Sequence, residues 1–113
     1  MKLEKIIQGE FQSVVDSLNK ELCQGKDAFS KVDVHCTNVQ GKRVEMHSYE
    51  KYNLIYRFGV GINILFVELE AGQIEITVMI TGENYGVLGL DLGVGEKTML
   101  TIEEKLQTVT EDK

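Results

Sequence analysis

Alternating apolar residues make residues 62–81 the most regular stretch of this chain. Two segments, 62–70 (INILFVELE) and 73–81 (QIEITVMIT), flank Ala71-Gly72, a pattern typical of two strands joined by a tight turn. The second segment has an apolar residue at every other position: Ile74, Ile76, Val78 and Ile80. This period of two predicts that four apolar side chains lie on one face of a sheet.

Helical spacing replaces this alternation in two other segments. After a weakly alternating edge strand at 2–8, apolar residues between Phe11 and Leu22 recur at intervals of three and four, and Gly25 follows where a helix typically ends. A second helix is predicted to begin near 95–98. Its apolar stripe consists of Met99, Ile102, Leu106 and Val109.

A hairpin is predicted between residues 32 and 52. A two-residue Gln40-Gly41 loop would place Cys36, expected in the core, opposite the charged Glu45. A three-residue loop, 39–41, instead pairs Cys36 with Val44 and gives Gly41 the position that requires positive φ. We therefore predict the three-residue loop, with an inner face made of Val34, Cys36, Val44 and Met46.

The order of these elements predicts the fold class. Residues 53–61 are either a short strand or a loop, and a last strand is predicted at 87–92 after a turn at 82–86. Grouped strands between two helices indicate a single α+β domain over residues 1–113. We expect an antiparallel sheet of about five strands in the order strand, helix, four strands, helix, with both helices on one face.

Charge and composition limit the classes of partner. The net charge is −6, with 12 basic and 18 acidic residues, which argues against nucleic acid and against an anionic membrane surface. The longest uninterrupted apolar run is 64–67, far short of a membrane span, and the N-terminus lacks a signal peptide's apolar region. Two cysteines are too few for a disulfide framework, so we expect a cytoplasmic protein.

The predicted hairpin also suggests a metal site. The three-residue loop pairs His35 with Glu45 and Asp33 with His47 on the face opposite the core. Diagonal neighbours on antiparallel strands are about 7–8 Å apart, within reach of one divalent ion. We regard Asp33, His35, Glu45 and His47 as candidate metal ligands, with cross-strand charge pairing on a solvated face as the alternative.

Aromatic residues and one arginine cluster just after the hairpin. Such residues suit the rim of a pocket or a protein interface, or they cover the end of the sheet. The candidate ligand-binding residues are Tyr52, Tyr56, Arg57 and, from the glycine-rich segment that follows, Tyr85.

Segment 62–70 is apolar on both faces. Ile62, Ile64 and Phe66 lie on one face and Leu65, Val67 and Leu69 on the other. A second apolar face suggests that it is covered, either by the 53–61 segment or by another subunit.

No catalytic or cofactor signature emerges from the sequence. Gly93 to Thr98 resembles a phosphate loop, but Glu96 and Asp91 occupy the positions that this motif reserves for glycine. Cys36 is expected to be a buried thiol, since its sequence neighbour His35 points to the opposite face of a strand. We predict no catalytic residue and no cofactor.

Four short motifs resemble a known family. They are K-L-E-K-x-I-x-G-x-F at 2–11, Tyr-Glu-Lys-Tyr at 49–52, Thr81-Gly82 with Gly86, and Gly95-Glu96. Together they are similar to a domain-of-unknown-function family of small proteins, about 110 residues long, found mainly in Firmicutes bacteria. The resemblance spans nearly the whole chain and implies a cytosolic domain, but no activity.

Three functions are therefore considered. The first is a non-catalytic module that self-associates, as a homodimer, through its sheet. The second is a small-molecule binder whose pocket lies between helices and sheet near 53–61 and 82–95. The third is a metal-dependent enzyme that uses the hairpin histidines.

Overall fold

The computed structural model describes residues 2–25, 28–53, 58–81 and 94–111. Its elements, in chain order, are β1 (Lys2–Gln8), α1 (Phe11–Leu22), β2 (Ser30–Val39), β3 (Lys42–Asn53), β4 (Phe58–Glu68), β5 (Gln73–Thr81) and α2 (Val94–Glu111). The predicted order of strand, helix, four strands and helix is confirmed, and so is the α+β class.

The five strands form one sheet in the spatial order β1-β5-β4-β3-β2, and every neighbouring pair is antiparallel. We call the face toward the helices the inner face and the opposite one the outer face. The period of two predicted for β5 is confirmed, because its four alternate apolar side chains are all buried. On β4 the buried inner residues are Val60, Ile62, Ile64 and Phe66.

Helix α1 begins at a side-chain cap. Both carboxylate oxygens of Glu10 accept hydrogen bonds from backbone N–H groups, at 2.9 Å from Gln12 and 3.0 Å from Ser13. These bonds hold the pKa of Glu10 below its usual value, because they stabilise the charged carboxylate. The apolar stripe then packs onto the sheet with Phe11, Val14, Val15, Leu18 and Leu22 buried.

Helix α2 packs beside α1 over the same face of the sheet. The predicted stripe of Met99, Ile102, Leu106 and Val109 is buried in the same core as α1, β4 and β5. Lys105 Nζ donates to the backbone oxygen of Glu21 at 2.8 Å, where a cation meets the negative end of α1. Among the described segments, neither helix has the length and apolar character needed to cross a membrane.

The predicted three-residue hairpin loop is wrong. Val39 pairs with Lys42, so the loop has two residues, and both Gln40 (φ 52°) and Gly41 (φ 82°) lie in the left-handed region. Positive φ at both positions is the geometry of the two-residue hairpin turn that matches the twist of the strands.

This shift changes which side chains face the core. Val44 and Met46 lie on the outer face, not in the core, and the inner face of β3 carries Glu45 and His47 instead. Cys36 does lie opposite Glu45, but the thiol is exposed, not buried as expected. The prediction failed because it treated Glu45 as a solvated residue.

The ambiguous segment 53–61 is divided between two strands. Asn53 ends β3 and pairs with Phe58, the first residue of β4, so residues 58–61 are strand. Residues 54–57 lie outside the described part of the chain, and so does the last strand predicted at 87–92.

The hairpin turn gives a direct stability test. Gln40→Asn should raise the free energy of unfolding by up to about 1 kcal/mol, because asparagine tolerates the left-handed region better than glutamine does. Gln40→Val should lower it, since a β-branched residue is disfavoured there. Urea unfolding of both variants checks the turn. A three-residue loop would give Gln40 negative φ and no gain from asparagine.

Candidate functional site

The four predicted metal ligands lie on two different faces. Asp33 pairs with Ser48 and His35 pairs with Met46 on the outer face, whereas Glu45 and His47 are buried on the inner face. No group of three or more histidine, cysteine, aspartate or glutamate side chains is placed to hold a metal ion within the described residues. The predicted pairs, His35 with Glu45 and Asp33 with His47, therefore do not form in the hairpin.

Asp33 and His35 line a shallow depression instead. Together with Val34, Met46 and Ser48 they enclose about 140 Å³ on the β2–β3 part of the sheet. Small-molecule pockets usually measure about 300 Å³ or more, so this depression is too small to enclose a ligand.

The predicted ligand-binding residues lie largely beyond the described structure. The backbone of Tyr52 is in β3, opposite Gly59, but its side chain is outside the described part. Tyr56, Arg57 and Tyr85 are outside it entirely. The small-molecule pocket near 53–61 and 82–95 stays a prediction.

A row of polar side chains on the inner face of β3 was not anticipated. We call Arg43, Glu45, His47 and Tyr49 the β3 polar row; its last three members are only 7%, 3% and 2% exposed. The row lies between the apolar inner faces of β4 and β5 on one side and the exposed edge strand β2 on the other. Buried charge of this kind is costly unless it is paired, so its partners decide what it does.

Glu45 is the centre of the row. Its Oε1 lies 2.9 Å from His47 Nε2 and its Oε2 lies 3.4 Å from Arg43 Nη2. Arg43 is anchored in turn: its guanidinium donates to the side-chain oxygen of Gln12 and lies 4.7 Å from the ring centroid of Phe11. The carboxylate is therefore compensated, which explains why a charged residue occupies a core position.

His47 has one satisfied and one unsatisfied nitrogen. Its Nδ1 is buried and has no hydrogen-bond partner among the described residues. The ring packs edge-on against Phe66 at 5.3 Å and parallel to Tyr49 at 6.4 Å. With Nε2 bonded to the carboxylate, neutral His47 carries its proton on Nε2 and leaves Nδ1 as an unpaired acceptor.

Tyr49 closes the row toward α1. Its hydroxyl donates to the side-chain oxygen of Asn19, and this hydrogen bond joins β3 to α1 at the edge of the core. Burial raises the pKa of Tyr49 well above its usual value, which keeps the phenol a neutral donor.

Cys36 lies opposite Glu45 on β2, but its surroundings do not activate the thiol. Partial desolvation raises the pKa of the thiol, and the negative charge of Glu45 raises it further. A catalytic cysteine needs the opposite, a base or cation that stabilises the thiolate. The β3 polar row is thus a structural layer between α1 and the sheet, built from contacts that no motif in the sequence indicates.

The compensation of Glu45 can be tested by removing its partner His47 alone and then together with Glu45. His47→Leu should destabilise the fold by about 3 kcal/mol, because it leaves a buried carboxylate short of a hydrogen bond. The double variant Glu45→Leu/His47→Leu should be less destabilised than that single variant, since Arg43 is 38% exposed and can reach water. Urea unfolding measures both. A double variant that is destabilised as much as His47→Leu, or more, would contradict the coupling.

Comparison with known proteins places the chain in a family without assigning an activity. No curated protein and no solved structure matches it. The model of a family of unknown function, DUF6054, matches residues 1–110. This confirms the resemblance to a family of unknown function, and the match covers nearly the whole sequence. The chain therefore belongs to the DUF6054 family.

Proposed function

We propose that this protein is a non-catalytic interaction module that self-associates through the outer face of its sheet. The observation that supports this function is the apolar centre of that face. Val44 and Met46 on β3 lie beside Val67 and Leu65 on β4, and we call these four residues the outer patch.

The outer patch departs from the pattern of a solvated sheet face. An antiparallel sheet with one solvated face alternates apolar and polar residues, as β5 does with Glu75 and Thr77 on its outer side. Strand β4 is apolar on both sides at Leu65 and Val67, and both described helices lie on the inner face. Because the described helices do not bury this apolar face, a second copy of the chain is the simplest partner that would bury it.

The surroundings of the patch also suit an interface. Polar residues surround it, including Ser48 and Asn63, whose side chains hydrogen-bond to each other at 2.7 Å, and two exposed apolar residues of the same face lie beyond them, Met79 (50% exposed) next to Asn63 and Ile6 (57%) next to Glu75. An apolar centre with a polar rim is the usual anatomy of a protein interface.

The size of the face is sufficient for a stable dimer. Five strands about 4.8 Å apart and about ten residues long on average present roughly 24 by 33 Å. A standard interface takes about 800 Å² from each partner, which this face supplies when two sheets stack about 10 Å apart.

A cytoplasmic location and a bacterial source, mainly Firmicutes, belong to the same proposal. Cys23 and Cys36 are both free and exposed, which suits a reducing compartment. The partner that we propose is a second copy of the chain; a small molecule bound near 53–61 and 82–95 is the second candidate function of the sequence, and nothing in the described residues favours it.

A lysine in the patch should separate the copies. Leu65→Lys should weaken self-association by about 100-fold or more, because like charges meet at the centre of the interface. Sedimentation velocity over a concentration series measures the change, and circular dichroism checks that the variant stays folded.

Leu100→Lys is the matched control. Leu100 lies on α2 and is likewise a leucine outside the core; it is 61% exposed, whereas Leu65 is half-buried. This variant should associate like the wild type, whereas Ile64→Lys should unfold, since Ile64 is fully buried. A folded Leu65→Lys variant with unchanged association would contradict the proposal.

A further inference from the structure

Strand β2 is a long edge strand that the rest of the fold leaves exposed. All ten of its residues, Ser30–Val39, are exposed, although it pairs with β3 along its whole length. It lies at the end of the sheet opposite β1. Val34, 42% exposed, and the exposed Cys36 lie on the inner side of β2. An edge of this kind offers a row of backbone groups to another strand.

The two edges of the sheet are protected to different degrees. β1 carries three charges in seven residues, Lys2, Glu4 and Lys5, and α2 packs against it. The regular part of β2, residues 33–39 (DVHCTNV), contains one formally charged residue, Asp33, and the chain has no proline. A register shift between Lys31 and Asp33 interrupts only one end of the strand. β2 therefore lacks most of the devices that keep an edge strand from pairing.

One hydrogen bond shows which backbone groups point outward. The N–H of Val34 donates to Oδ1 of its neighbour Asp33 at 2.8 Å, so it is turned to the free edge and not to β3. Because outward and inward groups alternate along an antiparallel strand, Cys36 and Asn38 present their backbone groups to the same side.

We propose that β2 pairs antiparallel with β2 of a second copy of this chain, which joins two sheets into one of ten strands. This surface is separate from the outer patch, so the pairing does not depend on the proposed function. It is isologous, because the same strand supplies both sides.

The register follows from the regular part of the strand. With His35 on the two-fold axis, residues 33–37 of both copies pair without using the irregular end. Val34 then lies opposite Cys36 of the second copy, and Cys36 lies opposite Val34 of the second copy. Each chain thus contributes two exposed apolar side chains to the paired edge. A centre at Val34 would include the irregular end, and a centre at Cys36 would set Val34 opposite Asn38.

Charge also favours a centre at His35. Asp33 becomes a diagonal neighbour of the second copy's His35 on the outer face, and this contact occurs twice. The carboxylate that now accepts from Val34 N–H is released when that amide bonds to the second strand. The acidic Asp33 thus lies near the basic His35 of the second copy, in a part of the strand that carries no other charged side chain.

Edge pairing and face stacking are geometrically compatible. The axis of the paired edge is perpendicular to the sheet, whereas the axis of stacked faces lies parallel to it. Two perpendicular two-fold axes close an assembly of four copies with dihedral symmetry.

Disulfide trapping tests the register. In a background with Cys23→Ser and Cys36→Ala, which keeps an apolar side chain opposite Val34, His35→Cys should form an intermolecular disulfide on mild oxidation, because residues on the axis of a non-hydrogen-bonded pair have Cα atoms about 4.5 Å apart. Thr37→Cys is the matched control: it is on the same face of the same strand and is also exposed, but in the proposed register it lies opposite Asp33. Gel electrophoresis without reductant should show a covalent dimer for the first variant only. Absence of that dimer, or equal dimer in the control, would overturn the proposal.

The same variants in a Leu65→Lys background distinguish pairing of the β2 edges from association through the outer patch. The disulfide of His35→Cys should form there as it does without Leu65→Lys, because the edge does not use the outer patch. Loss of the disulfide in this background alone would overturn independent edge pairing. Failure of the outer patch proposal would instead appear as unchanged association of Leu65→Lys, with the disulfide intact.

Discussion

The burial of one sheet face under two helices is the interaction on which the rest of this structure depends. Inner residues of β4 and β5 form one core with the apolar stripes of α1 and α2. Because both helices pack on the same side, the sheet has a second face and, at β2, an edge that the described helices do not cover. The core thus determines the fold and also where the protein is available to partners.

The margin of that core explains the polar row on β3. Glu45 and His47 lie where the apolar inner face meets the exposed strand β2, and they remain buried because Arg43 and a hydrogen bond between them compensate the charge. Breaking one member of such a set costs more than replacing the set. The row therefore ties β3 to α1 through Gln12 and Asn19.

The elements with a strong hydrophobic period could be predicted from sequence. The alternation in β5 and the three-to-four spacing in α1 and α2 follow directly from which side chains must be buried. The hairpin could not be predicted in this way, because Val44 and Met46 look like core residues and Glu45 looks like a surface residue. Only the surroundings of Glu45 reverse this assignment, and they include Gln12 and Phe11 of α1, which hold Arg43 beside the carboxylate.

The predicted metal site depended on the predicted register of the hairpin. The one-residue change of register places every side chain of β3 on the face opposite to the predicted one, whereas the side chains of β2 keep their predicted faces. Glu45 and His47 are therefore separated from Asp33 and His35. The doubly apolar character of segment 62–70, in contrast, did not depend on that register. Its prediction that a second face needs a cover leads directly to the outer patch.

The mass of the unmodified protein in solution tests the central claim most directly. Native mass spectrometry at micromolar concentration should give a multiple of the 12.7 kDa chain mass: two copies if one of the two interfaces forms, or four if both the outer patch and the β2 edges pair. A species of 12.7 kDa that persists as the concentration rises would contradict self-association through the sheet.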